Sequence, residues 1–422
     1  MIDSATDDFF ATLTAPTPSR AAAREGNRVA PPFIDQIREF RAFGRPSVEL
    51  QEGAIRYFVN EFWTSGQRQA HSIHEVSYRA CFKPQLPEFF IDRLTKPRDS
   101  VYDPFMGRGT TPLQAALMDR RPVGNDVNPL SVLLTRPRLN APTLDAIAHR
   151  LDEIAWDRGA VRDSELLAFY SPRTLARLCA LREWLIEKAP LNGAACAADD
   201  WIRMVAINRL TGHSPGFFSV YTLPPNQAVS AQSQRRINEK RRQQPPDRDI
   251  RRLILKKTAS LFGDGPIGAH PTPLLMTGAA QSTPAIKNGS IDLVVTSPPF
   301  LDVVQYAEDN WLRSWFAGID AASVAIAHHR TEAGWADMVR DVLTELARVV
   351  RRGGHVAFEV GEIRRGHVLL ERLVWEAAEG LPFDRLFVMV NQQEFTKTAN
   401  CWGVGNNEKG TNTNRIVVLR RQ

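Results

Sequence analysis

The sequence has few cysteines and no long apolar run, and both absences exclude classes of protein. Four cysteines are scattered over 422 residues without a CxxC pair, so neither a disulfide framework nor a zinc site is expected. No apolar stretch reaches the roughly 18 residues that a transmembrane helix needs. The first residues lack the charged-then-apolar pattern of a secretion signal. We therefore expect a cytoplasmic protein that uses no metal and binds no membrane.

Positive charge is concentrated in one segment. Hydrophobic residues make up 43% of the chain and charged residues 24%, which is ordinary for a globular protein. Residues 235–257 hold ten Lys/Arg against three Asp/Glu, a net +7, so the rest of this +6 chain carries −1. A basic cluster on an otherwise neutral chain indicates a polyanionic partner. A solvated linker would show the same charge run.

A double proline ends one short apolar run, in the stretch Thr296-Ser297-Pro298-Pro299-Phe300. The preceding residues, 291–295, are rich in β-branched side chains and predict a buried parallel strand. Neither proline has an N–H and both have a fixed φ, so the strand must stop there. The turn would then present a hydroxyl, two free carbonyls and a ring where open α/β sheets bind ligands. That set suits a flat base with an exocyclic amine, although a plain strand-ending turn explains it too.

A glycine-containing turn lies upstream, in Asp103-Pro104-Phe105-Met106-Gly107-Arg108-Gly109-Thr110-Thr111. The pattern predicts a strand before this turn and a helix from about Thr110. Gly107 and Gly109 allow backbone angles and a close approach that a side chain would prevent. A ligand can therefore lie against the loop and the helix N-terminus.

Asp126 ends the next predicted strand, which covers residues 122–127. An acidic side chain at that position can accept hydrogen bonds from both hydroxyls of a ribose. Its alternative role is the N-cap of the following helix. The glycine turn before it favours the ribose.

The strand pattern disappears from about residue 141 to residue 269. Helices are predicted at 144–156, 172–188 and 199–210, followed by an aromatic and polar loop at 211–227 that leads into the basic segment. Aromatic rings interleaved with cations can stack on nucleic acid and neutralise it. An aromatic-anchored surface loop is the alternative.

Alternating strands and helices predict a mostly parallel α/β sheet. Further strands are expected at 273–277, 355–360, 385–390 and 414–419, and helices at 34–43, 55–63, 88–94, 306–316 and 335–350. The last two strands lack a helix between them, which predicts an antiparallel hairpin at one edge. We divide the chain into a partly disordered arm (1–45), two catalytic parts (46–140 and 270–422) and an insertion (141–269).

Together, the two motifs resemble those of the amino-group DNA methyltransferases, in the Ser-Pro-Pro-aromatic form typical of cytosine-N(4) enzymes. Phe82-Lys83-Pro84 looks like the family's motif for the methionine end of the cofactor. The resemblance covers about residues 75–135 and 272–420. It implies a Rossmann-like methyltransferase sheet, S-adenosylmethionine as cofactor, double-stranded DNA as substrate and an insertion that recognises the target.

The resemblance also assigns roles to particular residues. The cofactor residues would be Lys83, Pro84, Asp103, Pro104, Phe105, Gly107, Gly109, Thr110, Thr111, Asp126 and Thr296. The catalytic residues would be Ser297, Pro298, Pro299 and Phe300. For DNA binding in the insertion, the candidates are His213, Asn226, Gln227, Arg235, Arg236, Arg241 and Arg242.

Three positions depart from the family pattern. Phe300 replaces the commoner Tyr, and Arg108 stands where Ser is frequent. After the third strand, where an Asp often holds the adenine amine, the chain reads Thr277-Gly278-Ala279-Ala280-Gln281, which leaves Gln281 as the candidate.

Several activities stay open at this stage. Carbon-5 cytosine methylation needs a Cys nucleophile, and none of the four cysteines lies in a Pro-Cys loop. An adenine-N(6) enzyme, an RNA methyltransferase and an inactive DNA-binding module are the alternatives, and Ser297 favours cytosine. A partner restriction endonuclease would fit such an enzyme.

Overall fold

The computed structural model describes residues 32–64, 70–78, 81–161, 163–191, 196–222, 228–268, 272–301, 306–321, 324, 329, 331–363, 368–392 and 413–422. The helices are α1 (Phe33–Arg38), α2 (Gln85–Leu94), α3 (Thr110–Leu117), α4 (Pro129–Leu139), α5 (Leu144–Asp152), α6 (Pro172–Lys188), α7 (Ala197–Arg209), α8 (Ala231–Arg241), α9 (Ile250–Leu261), α10 (Tyr306–Ala317), α11 (Glu332–Val349) and α12 (Leu370–Ala377). The strands are β1 (Val48–Glu52), β2 (Ile55–Asn60), β3 (Ser100–Asp103), β4 (Arg121–Asp126), β5 (Leu274–Thr277), β6 (Ile291–Thr296), β7 (Val350–Val360), β8 (Glu362–Ile363), β9 (Val368–Leu369), β10 (Phe383–Gln392) and β11 (Thr413–Arg421).

A nine-stranded sheet forms the centre of the molecule, in the order β1-β2-β10-β11-β7-β6-β3-β4-β5. The run β7-β6-β3-β4-β5 is parallel throughout, and β10 is parallel to β2. β11 is antiparallel to both β7 and β10. The predicted α/β fold with a mostly parallel, Rossmann-like sheet is therefore confirmed. β10 and β11 do pair antiparallel, but the prediction that this hairpin lies at an edge is wrong, because β2 pairs with β10 and places the hairpin inside the sheet, between β2 and β7.

A second antiparallel hairpin, β1–β2, occupies the sheet edge next to β10. The helix predicted at 55–63 is wrong, because Ile55–Asn60 is strand β2. β-branched and aromatic side chains in a short run suit either a buried helix or a strand. Pairing with Val388–Asn391 of β10, more than 300 residues away, decides the matter.

The parallel strands direct their carboxyl ends to one edge of the sheet. β3 has all four residues buried, and Leu293–Val295 of β6 are fully buried, as expected for strands covered on both faces. Consequently the residues that end β3, β4 and β6 come together, namely Asp103, Asp126 and Thr296. Among the described helices none is long and apolar enough to cross a membrane.

The insertion is helical, as predicted, and it shares a core with the sheet domain. Trp201 of α7 belongs to the same apolar cluster as Leu133 of α4 and Phe316 of α10. A partly buried ion pair, Arg136 Nε to Asp200 Oδ2 at 2.8 Å, joins α4 to α7. The basic segment forms most of α8 and α9, so it is a folded element, not a linker.

Candidate active site

A cavity of about 380 Å³ opens at the carboxyl ends of β3, β4 and β6. This volume lies within the range of small-molecule sites, roughly 300–1,000 Å³. Both sequence motifs contribute to the wall, although they are nearly two hundred residues apart in the chain. The predicted residues that line it are Pro104, Phe105, Gly107, Thr110, Asp126, Ser297 and Pro299.

The other predicted cofactor and catalytic residues lie outside this lining. They are Lys83, Pro84, Asp103, Gly109, Thr111, Thr296, Pro298 and Phe300. Phe82, immediately before Lys83, does line the cavity. Phe300 is half-buried and packs against the apolar cluster that contains Leu301 and Trp335.

Two glycines with positive φ shape the turn between β3 and α3. Gly107 has φ +49° and Gly109 has φ +79°, a region that favours glycine. A Cβ on Gly109 would collide with the side chain of Thr135 on α4, whose Cγ2 would lie at 2.5 Å. A Cβ on Gly107 would meet Cys81 Sγ at 3.5 Å and the Tyr78 ring at 3.8 Å. Gly109 therefore allows α3 to pack on α4, and Gly107 keeps the cavity wall open.

Asp126 is tied to the glycine turn by its carboxylate. Its Oδ2 accepts from Gly107 N at 2.8 Å and its Oδ1 from Asn128 N at 2.9 Å. The N-cap of α4 is Asn128, whose Oδ1 accepts from Leu130 N at 3.0 Å. Capping is thus not the role of Asp126. A carboxylate has about four acceptor sites, so this group can bind further donors in the cavity. Burial raises its pKa.

Asp103 lies behind the cavity wall and joins the two motifs. Its Oδ1 accepts from Thr296 Oγ1 at 2.6 Å and from Phe105 N at 3.0 Å. Burial raises the pKa of Asp103 to about 7. Thr111 Oγ1 donates to the Val295 carbonyl at 3.0 Å. Asp103, Thr111 and Thr296 therefore fix β3, α3 and β6 relative to one another.

A tryptophan holds the Ser-Pro-Pro turn from α11. Trp335, which is buried, donates from Nε1 to the Pro299 carbonyl at 2.9 Å. The sequence interpretation took two carbonyls of this turn as free, and the one on Pro299 is occupied. Trp335 satisfies that acceptor because α11 packs directly over the strand end.

Glu359 is the main site residue that the sequence interpretation missed. It lies one residue before the end of β7, is 4% exposed and accepts from Asn414 Nδ2 at 2.8 Å. It also shares a hydrogen bond with Ser297, and burial raises its pKa to about 7. A lone carboxylate inside the apolar run of residues 356–360 was the available signal, because such a group is rarely buried without a purpose.

The remaining cavity wall comes from residues outside the predicted cofactor and catalytic sets. Gln281, proposed for the adenine amine, does line the cavity. Further lining residues are Tyr78, Cys81, Phe82, Met106, Val127, Asn128, Gly278, Ala279, Ala280, His329, Gly334, Asp337, Met338 and Asp341. In the part of the chain that the structure describes, no group of three His, Cys, Asp or Glu side chains could hold a metal ion.

The predicted DNA-binding arginines lie on the surface of α8 and at its end. Arg235, Arg236, Arg241 and Arg242 are all exposed. Arg241 places its guanidinium 3.7 Å from the centre of the Tyr221 ring. In the preceding loop, Phe217 and Phe218 are buried and serve as anchors, and His213 is half-buried beside Phe217. Asn226 and Gln227 lie outside the described residues.

Comparisons with known proteins agree with this arrangement. Residues 48–134, which contain the glycine turn and Asp126, match the N6_N4_Mtase family model, described as DNA methylase. Over 72 residues the chain is 38% identical to the Type II methyltransferase M.MjaII of Methanocaldococcus jannaschii, covering 17% of this chain and 13% of that protein. Residues 48–134 are therefore similar to the amino-group DNA methyltransferases, which confirms the resemblance for the part of the chain that holds the glycine turn and Asp126. The Ser-Pro-Pro turn lies outside the matched residues.

Solved structures show more distant similarity. TrmN from Thermus thermophilus is 13% identical, with 83% of this chain and 52% of that chain covered at a TM-score of 0.32. A putative DNA modification methylase, also from Thermus thermophilus, is 21% identical, with 34% and 52% covered at a TM-score of 0.22. The chain thus spans about half of each of these structures, and at such scores the likeness carries no argument about function.

We expect Gly109→Ala to lower the free energy of unfolding by about 1–3 kcal/mol, because the added Cβ is strained at positive φ and collides with Thr135. Urea unfolding followed by circular dichroism would measure the change. Thr135→Ala in the same chain should recover part of the loss, since the collision involves its side chain. A Gly109→Ala protein as stable as the wild type would contradict this packing.

Proposed function

We propose that this chain, which carries a DNA methylase family segment, transfers a methyl group from S-adenosylmethionine to the exocyclic amine of a DNA base. The observation that carries the proposal is the shared cavity, in which Ser297 and Pro299 face the same space as Gly107 and Asp126. Double-stranded DNA as the substrate and the cytoplasm as the place of action belong to the proposal. So does a role in restriction-modification, with a partner endonuclease, or in epigenetic marking.

The residues of the cavity fit this cofactor. Asp126 has acceptor capacity for ribose hydroxyls, and Gly107 lets the turn approach a ligand without a side chain. Phe82, with Lys83 and Pro84 behind it, would hold the methionine end, and Gln281 would take the adenine amine. When bound, the cofactor supplies an electrophilic methyl group on a sulfonium centre.

The turn after β6 would act on the target amine. That amine is conjugated with its ring and is a poor nucleophile. Acceptors at Ser297 Oγ and the Pro298 carbonyl would take its two protons and favour a more tetrahedral nitrogen. Because Trp335 and Asp103 already hold this turn and strand end, positioning would supply much of the acceleration. The base must first leave the duplex, and Phe300 would support it once it has flipped.

N(4) of cytosine is the amine we favour, on the Ser-Pro-Pro-aromatic form of the turn. N(6) of adenine is the second candidate, because the same acceptors suit either amine. An RNA substrate is the third. An inactive DNA-binding module would not need Gly107, Gly109, Asp126 and Ser297, all of which the chain keeps.

Labelled S-adenosylmethionine and unmethylated genomic DNA test the proposal directly. We expect the label in a methylated base, identified by nucleoside analysis. Ser297→Ala should lower the transfer rate about 100- to 1,000-fold, because an acceptor in the reacting geometry is lost, and cofactor affinity should not change. Ser290→Ala, an exposed serine just before β6, is the control. Label on RNA alone, or full activity of Ser297→Ala, would contradict the assignment.

Asp126→Ala should weaken S-adenosylmethionine binding by about 10- to 100-fold, because charge-assisted hydrogen bonds of about 1.5–3 kcal/mol are lost. Isothermal calorimetry would measure the affinity. Asp126→Asn, which keeps one acceptor oxygen, should lose less, and Asp92→Ala, at an exposed position of α2, is the control. Unchanged affinity in Asp126→Ala would remove this residue from the site.

The exposed arginines of α8 should provide affinity for DNA of any sequence. Replacing Arg235, Arg236, Arg241 and Arg242 with Ala should weaken binding and flatten its salt dependence, since each phosphate contact contributes to the slope. Fluorescence anisotropy at several salt concentrations would measure both.

The matched control for this experiment removes equal charge from the opposite end of the sheet, at Arg121, Arg351, Arg352 and Arg420, which are all exposed. An unchanged slope of DNA affinity against salt concentration in the α8 variant would mean that this surface is only solvated.

Changes at His213, Asn226 or Gln227 should alter sequence preference more than overall affinity, because base readout depends on side chains that reach base edges.

A further inference from the structure

Glu359 contacts the proposed catalytic serine and has no role in the chemistry described above. β6 and β7 are parallel with Thr296 beside Phe358, so Ser297 and Glu359 follow abreast at the strand ends. Asn414 of β11 approaches from the other side and donates to Glu359 Oε1 at 2.8 Å. Three adjacent strands therefore bring a hydroxyl, a carboxyl and an amide into one chain of hydrogen bonds.

In this series of hydrogen bonds, the donor and acceptor roles can be assigned in one way when Glu359 is ionised. An ionised carboxylate can only accept hydrogen bonds, and a serine hydroxyl has a single proton. Because Glu359 and Ser297 share a hydrogen bond, the serine must donate that proton whenever the carboxyl is ionised. Only lone pairs of Ser297 Oγ then remain for a ligand in the cavity.

We propose that Glu359, held by Asn414, fixes the hydrogen-bond polarity of Ser297, so that the site accepts an exocyclic amine and rejects a carbonyl oxygen at that position of the base. This inference rests on the proposed function. Cytosine presents an amine where uracil and thymine present O4, and adenine presents one where hypoxanthine presents O6. Glu359 would thus be a positioning residue that sets base specificity through Ser297.

The surroundings of Glu359 support a functional purpose. Its hydrogen-bond partners, Ser297 and Asn414, are both neutral, and it is almost fully buried. Within the part of the chain that the structure describes, Glu359 thus has only neutral hydrogen-bond partners. Burying a carboxylate in this way costs stability, and such groups concentrate at functional sites. By contrast Glu371, also buried, is paired with Arg415 Nη1 at 2.6 Å.

Base discrimination by the cofactor-free protein is the direct test. The probes are DNA duplexes with the sequence that the wild-type protein methylates in the labelling experiment. They carry either the target base or its carbonyl counterpart, placed opposite an abasic position so that no base pair has to be broken in either probe. Binding is measured by anisotropy at pH 8, above the pKa of Glu359. We expect the wild type to prefer cytosine over uracil by about 10- to 100-fold, or adenine over hypoxanthine if adenine is the target.

Glu359→Gln should remove this preference. Asn414 would still donate to the new amide oxygen, so the amide nitrogen would donate to Ser297 and turn the serine proton toward the cavity. The ratio of the two affinities should fall to about one or invert. Glu371→Gln is the matched control, since it removes a buried carboxylate of equal size, and we expect it to affect stability but not the ratio.

Exchanging the carboxyl of residue 359 and the amide of residue 414 should restore the preference for the amine-bearing base. In the Glu359→Gln/Asn414→Asp double variant, the amide nitrogen can donate to the new carboxylate, which leaves the amide oxygen to accept the Ser297 proton. A purely structural role for Glu359 predicts no such rescue of base choice. If Glu359→Gln does not fold, the preference of the wild type and its presence in the double variant still test the inference.

Wild-type protein without a preference, Glu359→Gln with the wild-type ratio, or a folded double variant without restored preference would each overturn the inference. These results differ from failure of the proposed function, in which the wild type transfers no label to DNA at all.

Discussion

One hydrogen bond, from Thr296 Oγ1 to Asp103 Oδ1 at 2.6 Å, joins the two halves of the site. The residues lie 193 positions apart in the chain, yet β3 and β6 are adjacent and parallel, with Val101 beside Leu293. Both groups are buried, so breaking the bond would leave unpaired polar atoms in the interior, which is costly. The glycine turn and the Ser-Pro-Pro turn are therefore held in a fixed position relative to each other.

One buried arginine, Arg138, connects the cavity wall to the segments behind it. Arg138 is fully buried and donates to the carbonyls of Leu134, Ile73 and Arg108. Those carbonyls belong to α4, to the segment that leads to Tyr78, and to the glycine turn. Burial lowers the pKa of Arg138 to about 9. Its hydrogen bonds to carbonyl oxygens satisfy N–H donors that burial would otherwise leave without acceptors. Arg138 thus connects these three segments to one another behind the cavity wall.

The insertion is part of the same packed body, because α7 packs against α4 and α10, which lie outside the insertion. Trp201 and Ile202 of α7 belong to the apolar cluster that these helices share. Ser72 binds the end of α9, with its Oγ donating to the Leu261 carbonyl at 2.9 Å. The segment after Ser72 reaches Tyr78 in the cavity wall. The basic helices and the cavity wall therefore belong to one packed unit. A ligand on the helices and a ligand in the cavity would both contact that unit.

The sequence alone determined the local features. Fixed φ at two prolines, the need for glycine at Gly107 and Gly109, and apolar periodicity are properties of neighbouring residues. The strand ends, α6 at Pro172–Lys188 and the parallel sheet followed from them. Only the tertiary structure decided that Ile55–Asn60 is a strand, that Trp335 takes the Pro299 carbonyl and that Glu359 meets Ser297. Each of these depends on contacts between residues far apart in the chain, which local propensity cannot encode.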